Sequence, residues 1–320
     1  CHTETHYFHP EWYQMKRNIF HNDQNILWEG IISLEMSDGR ARPLRIPHET
    51  RHLFSPVLAH WAEMTAGVAL RFQSDSTEIR LEFDCPEDSV LGRVSRESHP
   101  YWAADKAYVD LYLDDQFIAS EPAANMESIT FSELGSEMKE FQIWLPHVAK
   151  FTFKGFEVDS TSEFCLPKPK IRSKWITYGS SATQCVGAEK PSRTWPAIIA
   201  RSLDLELIAL GYGGNCHLDP MVARMIRDQS ADCISLCLGA NVYMQSSLNE
   251  RTLGSSVLAF IDIIRETNPE VPMIVMSPYH MGEKETTPNL VGLTVQDIRI
   301  EIQKAVEVVQ NAGDEYISYI

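Results

Sequence analysis

Residues 174–183 read Lys-Trp-Ile-Thr-Tyr-Gly-Ser-Ser-Ala-Thr, a short apolar run that ends in a turn of small polar residues. An apolar run of this length fits a strand buried on both faces, which is how strands of a parallel sheet read. The pattern recurs twice downstream. Glu206–Leu210 runs into Gly211-Tyr-Gly-Gly-Asn-Cys-His, and Asp232–Leu238 runs into Gly239-Ala-Asn-Val. Helical periodicity fills the intervals at Trp195–Leu203, Asp219–Asp228, Gly254–Thr267 and Thr294–Gln310, the third stopped by Asn268-Pro269. Pro272–Ser277 and Tyr316–Ile320 supply two further strands. Five strands alternating with helices predict an α/β domain over residues 167–320, with a parallel sheet covered on both faces.

Upstream of Leu166-Pro-Lys-Pro-Lys, which reads as a short stiff linker, the rhythm changes to period two. Ile26–Met36, Gly67–Phe72, Glu78–Asp84, Ala107–Leu113, Gln116–Ser120, Ser128–Phe131, Glu140–Leu145 and Phe151–Val158 read as strands, and Leu113-Asp-Asp-Gln as a hairpin turn. Many short strands with polar turns predict an all-β sandwich, jelly-roll-like, over residues 24–166, preceded by an N-terminal arm at 1–23.

The 320 residues carry 28 basic and 44 acidic side chains, a net charge of −16. So acidic a surface repels phosphate backbones and anionic lipid, which argues against nucleic-acid or membrane partners. No apolar run approaches the roughly 18 residues of a membrane span. Seven scattered cysteines argue against a disulfide framework and lean toward a reducing, cytoplasmic setting. No secretory signal is visible, although a chain that opens on Cys1 leaves a removed leader open.

The three loops after the strands at 174, 206 and 232 fall on one rim of the sheet, at the carboxyl ends where such sheets bind ligands. Together they offer a hydroxyl, backbone N–H groups and a side-chain amide. Acyl transfer needs that set: an attacking hydroxyl and preorganised donors where the oxyanion develops. Each loop alone is a weak signal, since Ser after Gly is commonly a helix cap and Gly-Gly commonly a turn.

Taken in order, the loops resemble the SGNH (GDSL-like) hydrolase superfamily. Gly179-Ser180-Ser181-Ala182-Thr183 matches its first block, with Ser180 where the family usually has Asp; Gly214 in Gly213-Gly214-Asn215 matches the second; Gly239-Ala240-Asn241-Val242 matches the third except for a final Asp. The resemblance implies a flavodoxin-like domain with Ser181 as nucleophile, the Gly214 N–H and the Asn241 amide as oxyanion donors, and no cofactor or metal. Gly214–Pro220, read Gly-Asn-Cys-His-Leu-Asp-Pro, is similar to a subgroup that carries a β-sandwich ahead of the catalytic domain. That resemblance implies a small-molecule or carbohydrate ester as substrate and either an esterase or an acyltransferase acting on a sugar or secondary metabolite. The Gly-x-Ser-x-Gly elbow of the rival α/β-hydrolases is absent.

One block does not match. The family's base is a His in Asp-x-x-His after the fifth strand, and no His follows His280 here. A Ser hydroxyl with no adjacent base is a poor nucleophile at neutral pH. Three readings stay open: the block and the closing helix lie outside residues 1–320, the protein is a non-catalytic binder that keeps only the pocket, or His217 or His280 substitutes as base.

Other side chains carry blander readings. Cys1, His2, His6 and His9 have donor types suited to zinc but sit at a terminus. Cys185 and Cys216 flank the proposed site and read as packing residues. Trp61, Tyr101, Trp102 and Trp144 have rings able to stack on sugars, and read first as core of the sandwich.

Overall fold

A computed structural model describes residues 15–86 and 107–320. Cys1, His2, His6, His9, Tyr101 and Trp102 lie outside the described residues. The N-terminal half is built from two six-stranded antiparallel sheets. One contains β1 (Lys16–Phe20), β3 (Ser33–Ser37), β4 (Arg40–Leu44), β6 (Ile79–Asp84), β9 (Ser128–Phe131) and β11 (Thr152–Asp159). The other contains β2 (Leu27–Glu29), β5 (Ala69–Ser74), β7 (Tyr108–Leu113), β8 (Gln116–Pro122), β10 (Lys139–Trp144) and β12 (Phe164–Cys165). Buried Phe72, Phe83, Phe141, Phe151, Phe153 and Phe156 fill the core of this half. The hairpin between β7 and β8 turns at Asp114 and Asp115, with φ of 45° and 64°. Two consecutive positive φ values are what a two-residue turn needs to match strand twist, and Asp tolerates them.

Details depart from the period-two reading. The stretch Ile26–Met36 is two strands, because Gly30 turns the chain at φ +77° where a Cβ would sit 2.2 Å from the Gly67 carbonyl oxygen. Within the expected arm, Lys16–Phe20 forms β1 and pairs along β11. A short helix, α1 (Pro56–Ala62), buries Leu58 and Trp61.

The C-terminal half is the expected five-stranded parallel sheet. Its strands are β13 (Lys174–Gly179), β14 (Glu206–Gly211), β15 (Cys233–Cys237), β16 (Met273–Met276) and β17 (Ile317–Tyr319), in spatial order β14-β13-β15-β16-β17. This is the 2-1-3-4-5 order of the flavodoxin-like fold, whose switch point lies between its first and third strands. The helices are α2 (Ser181–Gln184), α3 (Trp195–Ser202), α4 (Pro220–Arg227), α5 (Ala240–Gln245), α6 (Glu250–Arg265) and α7 (Val295–Asn311). Capping boxes at Asn249 and Thr294 set the starts of the two long ones. Among the described residues no helix is long and apolar enough to cross a membrane.

Arg45 joins the two halves. It is fully buried, and its guanidinium donates to the carbonyls of Met64 (2.6 Å), Trp61 (2.7 Å), Ala209 (3.0 Å) and Gly211 (2.6 Å). The Tyr212 hydroxyl returns a bond to the Arg45 carbonyl at 2.6 Å, and the guanidinium lies 5.0 Å from that ring's centroid. Burial lowers the Arg45 pKa to about 10, which leaves it charged at neutral pH. Gly67 comes so near edge strand β14 that a Cβ there would lie 2.6 Å from that of Ala209. The sandwich thus covers a sheet edge that would otherwise invite pairing with other chains.

Candidate active site

The turn after β13 is shaped by its small residues. A Cβ on Gly179 would meet Thr183 Oγ1 at 2.1 Å, so the strand passes directly into α2. Ser180, at the position where the family has Asp, is buried and is the N-cap of α2, accepting from the Ala182 N–H at 3.3 Å. The next backbone donors of the turn, Thr183 and Gln184, are bonded to the Ser180 carbonyl. The N–H of Ser181 meets no acceptor among the described residues, as expected of a first-turn donor.

The second loop follows β14. Gly214 sits at φ +67°, and its carbonyl accepts from Gln245 Nε2 and, at 3.0 Å, from His217 Nε2. These donors fix the peptide plane, and the Gly214 N–H has no acceptor among the described residues. The loop is also tied down from behind. Gly213 N–H donates to Gln184 Oε1 at 3.0 Å, and a Cβ on Gly213 would strike the Trp61 ring at 2.6 Å.

The third loop follows β15. Gly239, at φ +95°, starts α5 and places Asn241 in its first turn. Asn241 is buried, and its Oδ1 accepts from the Cys216 N–H at 3.0 Å. That leaves the Nδ2 group without a protein acceptor among the described residues.

Ser180, Ser181, Gly214, Ala240 and Asn241 all line one cleft of about 540 Å³. The structure therefore brings the three expected residues, Ser181, Gly214 and Asn241, to one place beside the switch point of the sheet. Residues of that lining carry one hydroxyl and three donors without a partner among the described residues, a set able to stabilise a tetrahedral oxyanion formed by attack of that hydroxyl.

His217 and His280 adjoin residues of the cleft lining without being part of it. His217 is oriented by its Nε2 bond to the Gly214 carbonyl and by Nδ1, which accepts from Ser247 Oγ at 2.8 Å. Both ring nitrogens are thereby engaged. Neighbouring Asp219 is pushed up by burial. His280 is exposed, with Nδ1 accepting from the Gly282 N–H at 3.3 Å. Neither histidine lines the cleft. The thiols of Cys185 and Cys216 are also off its lining; burial raises Cys185 to about 11 and Cys216 further, which suppresses the thiolate. Trp61 and Trp144 are buried in the core.

The far walls of the cleft are Met244, Gln245, Tyr279, Met281 and Lys284, none of them picked out from the sequence. Met244 and Gln245 follow Asn241 at i+3 and i+4, a signal available once a helix is placed at 240. Tyr279, Met281 and Lys284 lie on the segment between β16 and α7. That segment is clamped by Arg299, which donates to Pro278 O (3.0 Å), Tyr279 O (3.1 Å) and both carboxylate oxygens of Glu285.

Residues 172–320 match the GDSL-like Lipase/Acylhydrolase family, and residues 26–154 match the SsfX3 N-terminal domain. The salicylyl-acyltransferase SsfX3 from a tetracycline biosynthetic pathway superposes with a TM-score of 0.85 at 27% identity, covering 95% of this chain and 84% of that one. A GDSL-like lipase structure from Bacteroides ovatus (TM-score 0.76, 20% identity, 96% of this chain and 87% of that one) shares the fold. So does a family two carbohydrate esterase from Clostridium thermocellum solved with cellohexaose (TM-score 0.62, 15% identity, 92% and 87%). No curated protein matches the chain in sequence. Residues 172–320, the C-terminal domain, match the GDSL-like lipase/acylhydrolase family, and the domain ahead of them matches the SsfX3 N-terminal type.

Proposed function

We propose that this protein cleaves a carboxylic ester by two-step acyl transfer through Ser181. The reading rests on one observation: Ser181 shares a cleft lining with three donors that have no partner among the described residues, the N–H groups of Ser181 and Gly214 and the Asn241 amide. Ser181 Oγ attacks the carbonyl carbon, and the three donors hold the oxyanion that forms. The hydroxyl proton passes to a base and from it to the departing alkoxide, leaving an acyl-serine. Water or a second alcohol then takes the acyl group. The resemblance assigns the base to an Asp-x-x-His block that is not within residues 300–320; the base is that block outside residues 1–320, or His217 or His280 in its place.

A fluorophosphonate probe, with the modified site mapped by mass spectrometry, tests the nucleophile. Labelling at Ser181 that disappears in Ser181→Ala is the expected result. Its loss in His217→Gln or His280→Gln would identify the base. No labelling of residues 1–320 together with labelling of a longer gene product would place the base outside them; silence from both would favour a binding protein that keeps the pocket alone.

Transfer to an alcohol, in place of hydrolysis, is favoured by the likeness to a salicylyl-acyltransferase along 95% of this chain. Product analysis with and without an acceptor alcohol separates the two. Ester formation at the expense of free acid marks a transferase.

A further inference from the structure

The cleft takes its chemical character from its far walls. Of the ten residues that line it, none is Asp or Glu and one, Lys284, is a cation. The chain carries 44 acidic residues against 28 basic ones, so this lining inverts the local balance of the molecule. Lys284 lies on a 3-10 turn, Gly282–Glu285, and its ammonium is in no ion pair among the described residues. The acidic neighbour able to neutralise it, Glu285, is buried and bound to Arg299. The other, Glu283, is exposed and forms no ion pair with Lys284 among the described residues.

The rest of the wall is apolar. Met244, Tyr279 and Met281 line the cleft, with Met244 and Tyr279 55% and 61% exposed and so open to a ligand. The segment is not loosely placed. Tyr243 Oη donates to Thr287 O at 2.9 Å, Asn289 Nδ2 to Tyr243 O at 3.1 Å, and the Leu290 N–H to Ser246 Oγ at 3.2 Å. These bonds and the Arg299 clamp hold the backbone of the segment that carries Tyr279, Met281 and Lys284, whose side chains line the same cleft as Ser181.

We infer that Lys284 is a specificity-determining residue and that the cleft selects an ester with an apolar body and a negatively charged group, a carboxylate or a phosphate, which Lys284 meets. This rests on the reading of Ser181 as nucleophile. An apolar body buries the Met and Tyr surface, and the anion gains a point charge that is in no ion pair among the described residues.

A matched pair of esters tests it: phenyl hexanoate and the monophenyl ester of adipic acid, nearly equal in length and different in the terminal charge. Binding is measured by calorimetry to Ser181→Ala, in which turnover is blocked. The anionic ester is expected to bind more tightly by up to about fivefold, the scale of a solvent-accessible ion pair. Adding Lys284→Met should abolish the preference and Lys284→Glu should reverse it. Equal binding of the two esters, binding of neither, or a preference that survives Lys284→Met would overturn the inference. Fluorophosphonate labelling of the unsubstituted protein is read in parallel: its failure removes the nucleophile, whereas unselective binding with labelling intact removes only the role of Lys284.

Discussion

The Cys216 N–H holds Asn241 Oδ1 at 3.0 Å, and this bond decides which end of the Asn241 amide is free to face the cleft. With its oxygen occupied by a backbone donor, the side chain has only its Nδ2 hydrogens to offer a ligand. Two loops from separate strands are thus set against each other by one hydrogen bond: Cys216 follows β14, and Asn241 follows β15.

Replacement of Asn241 reads this arrangement. Asn241→Ala should lower kcat for ester cleavage by about 10²–10³, the usual cost of one oxyanion donor. Asn241→Asp keeps the bond to Cys216 but puts a carboxylate where the oxyanion forms, and should cost at least as much. The check is steady-state kinetics on the protein as its gene encodes it. An aspartate variant that retains activity would mean that the amide does not face the reacting carbonyl.

Gly239→Ala should act on the same side chain indirectly. Gly239 lies at φ +95°, and a Cβ there would come within 2.7 Å of Ile298 Cγ2 and 2.9 Å of Ile302 Cδ1 and Pro278 Cγ. The strained backbone alone costs on the order of 1–3 kcal/mol, and overpacking against α7 adds to it. Chemical denaturation should show the loss, and Asn241 should lose its register with Cys216. Wild-type stability in this variant would contradict the close packing of α5 on α7.

The parts of this site that could be read in the sequence were those that depend on local order. An apolar run into Gly-Ser-Ser, Gly-Gly-Asn or Gly-Ala-Asn is a strand end followed by a tight turn, and parallel strands put such ends on one rim. What could not be read depends on distant residues. Arg45 looks like a surface charge in Arg-Pro-Leu-Arg-Ile, yet two of its acceptors, Ala209 and Gly211, are 164 and 166 residues away. Likewise, nothing local announces that Arg299 on α7 shapes the wall carrying Tyr279 and Lys284. The six-residue α5 escaped notice because it is too short for a full apolar period. Strands β1 and β12 escaped because one is largely exposed and the other spans two residues.

The wall should respond to acid through Glu285. Its hydrogen bonds to Arg299, with the Met281 N–H and the charges of Arg299 and His280 acting in the same direction, hold its carboxyl down from 4.5 to about 2. A depressed carboxyl stabilises the folded form fully above its unfolded value, and that contribution is lost as pH falls from 4.5 through 2. Hydrogen exchange of the segment between β16 and α7 should be slower in the unsubstituted protein than in Glu285→Gln at neutral pH. The gap should narrow steadily below pH 4.5. A gap that does not change with pH would mean that the carboxylate charge does not hold the segment.

Arg45 gives the largest expected effect on stability. Its five N–H groups serve four carbonyls at the seam between the sandwich and the α/β domain, with no carboxylate among those four acceptors. Arg45→Met fills most of the volume but leaves those carbonyls buried without donors, and should destabilise by roughly 3–5 kcal/mol. Arg45→Lys keeps the charge, but an ammonium has three donors for four acceptors and lacks the planar fork, so it should fall between the two. Because Gly211 leads into the loop that carries Gly214, both variants should also lose fluorophosphonate labelling at Ser181 at temperatures below their melting points. Thermal unfolding and labelling measured on the same samples separate the effects. A melt that moves while labelling holds up to the transition would confine Arg45 to joining the domains; loss of labelling ahead of the melt would show that the sandwich holds the oxyanion loop in place.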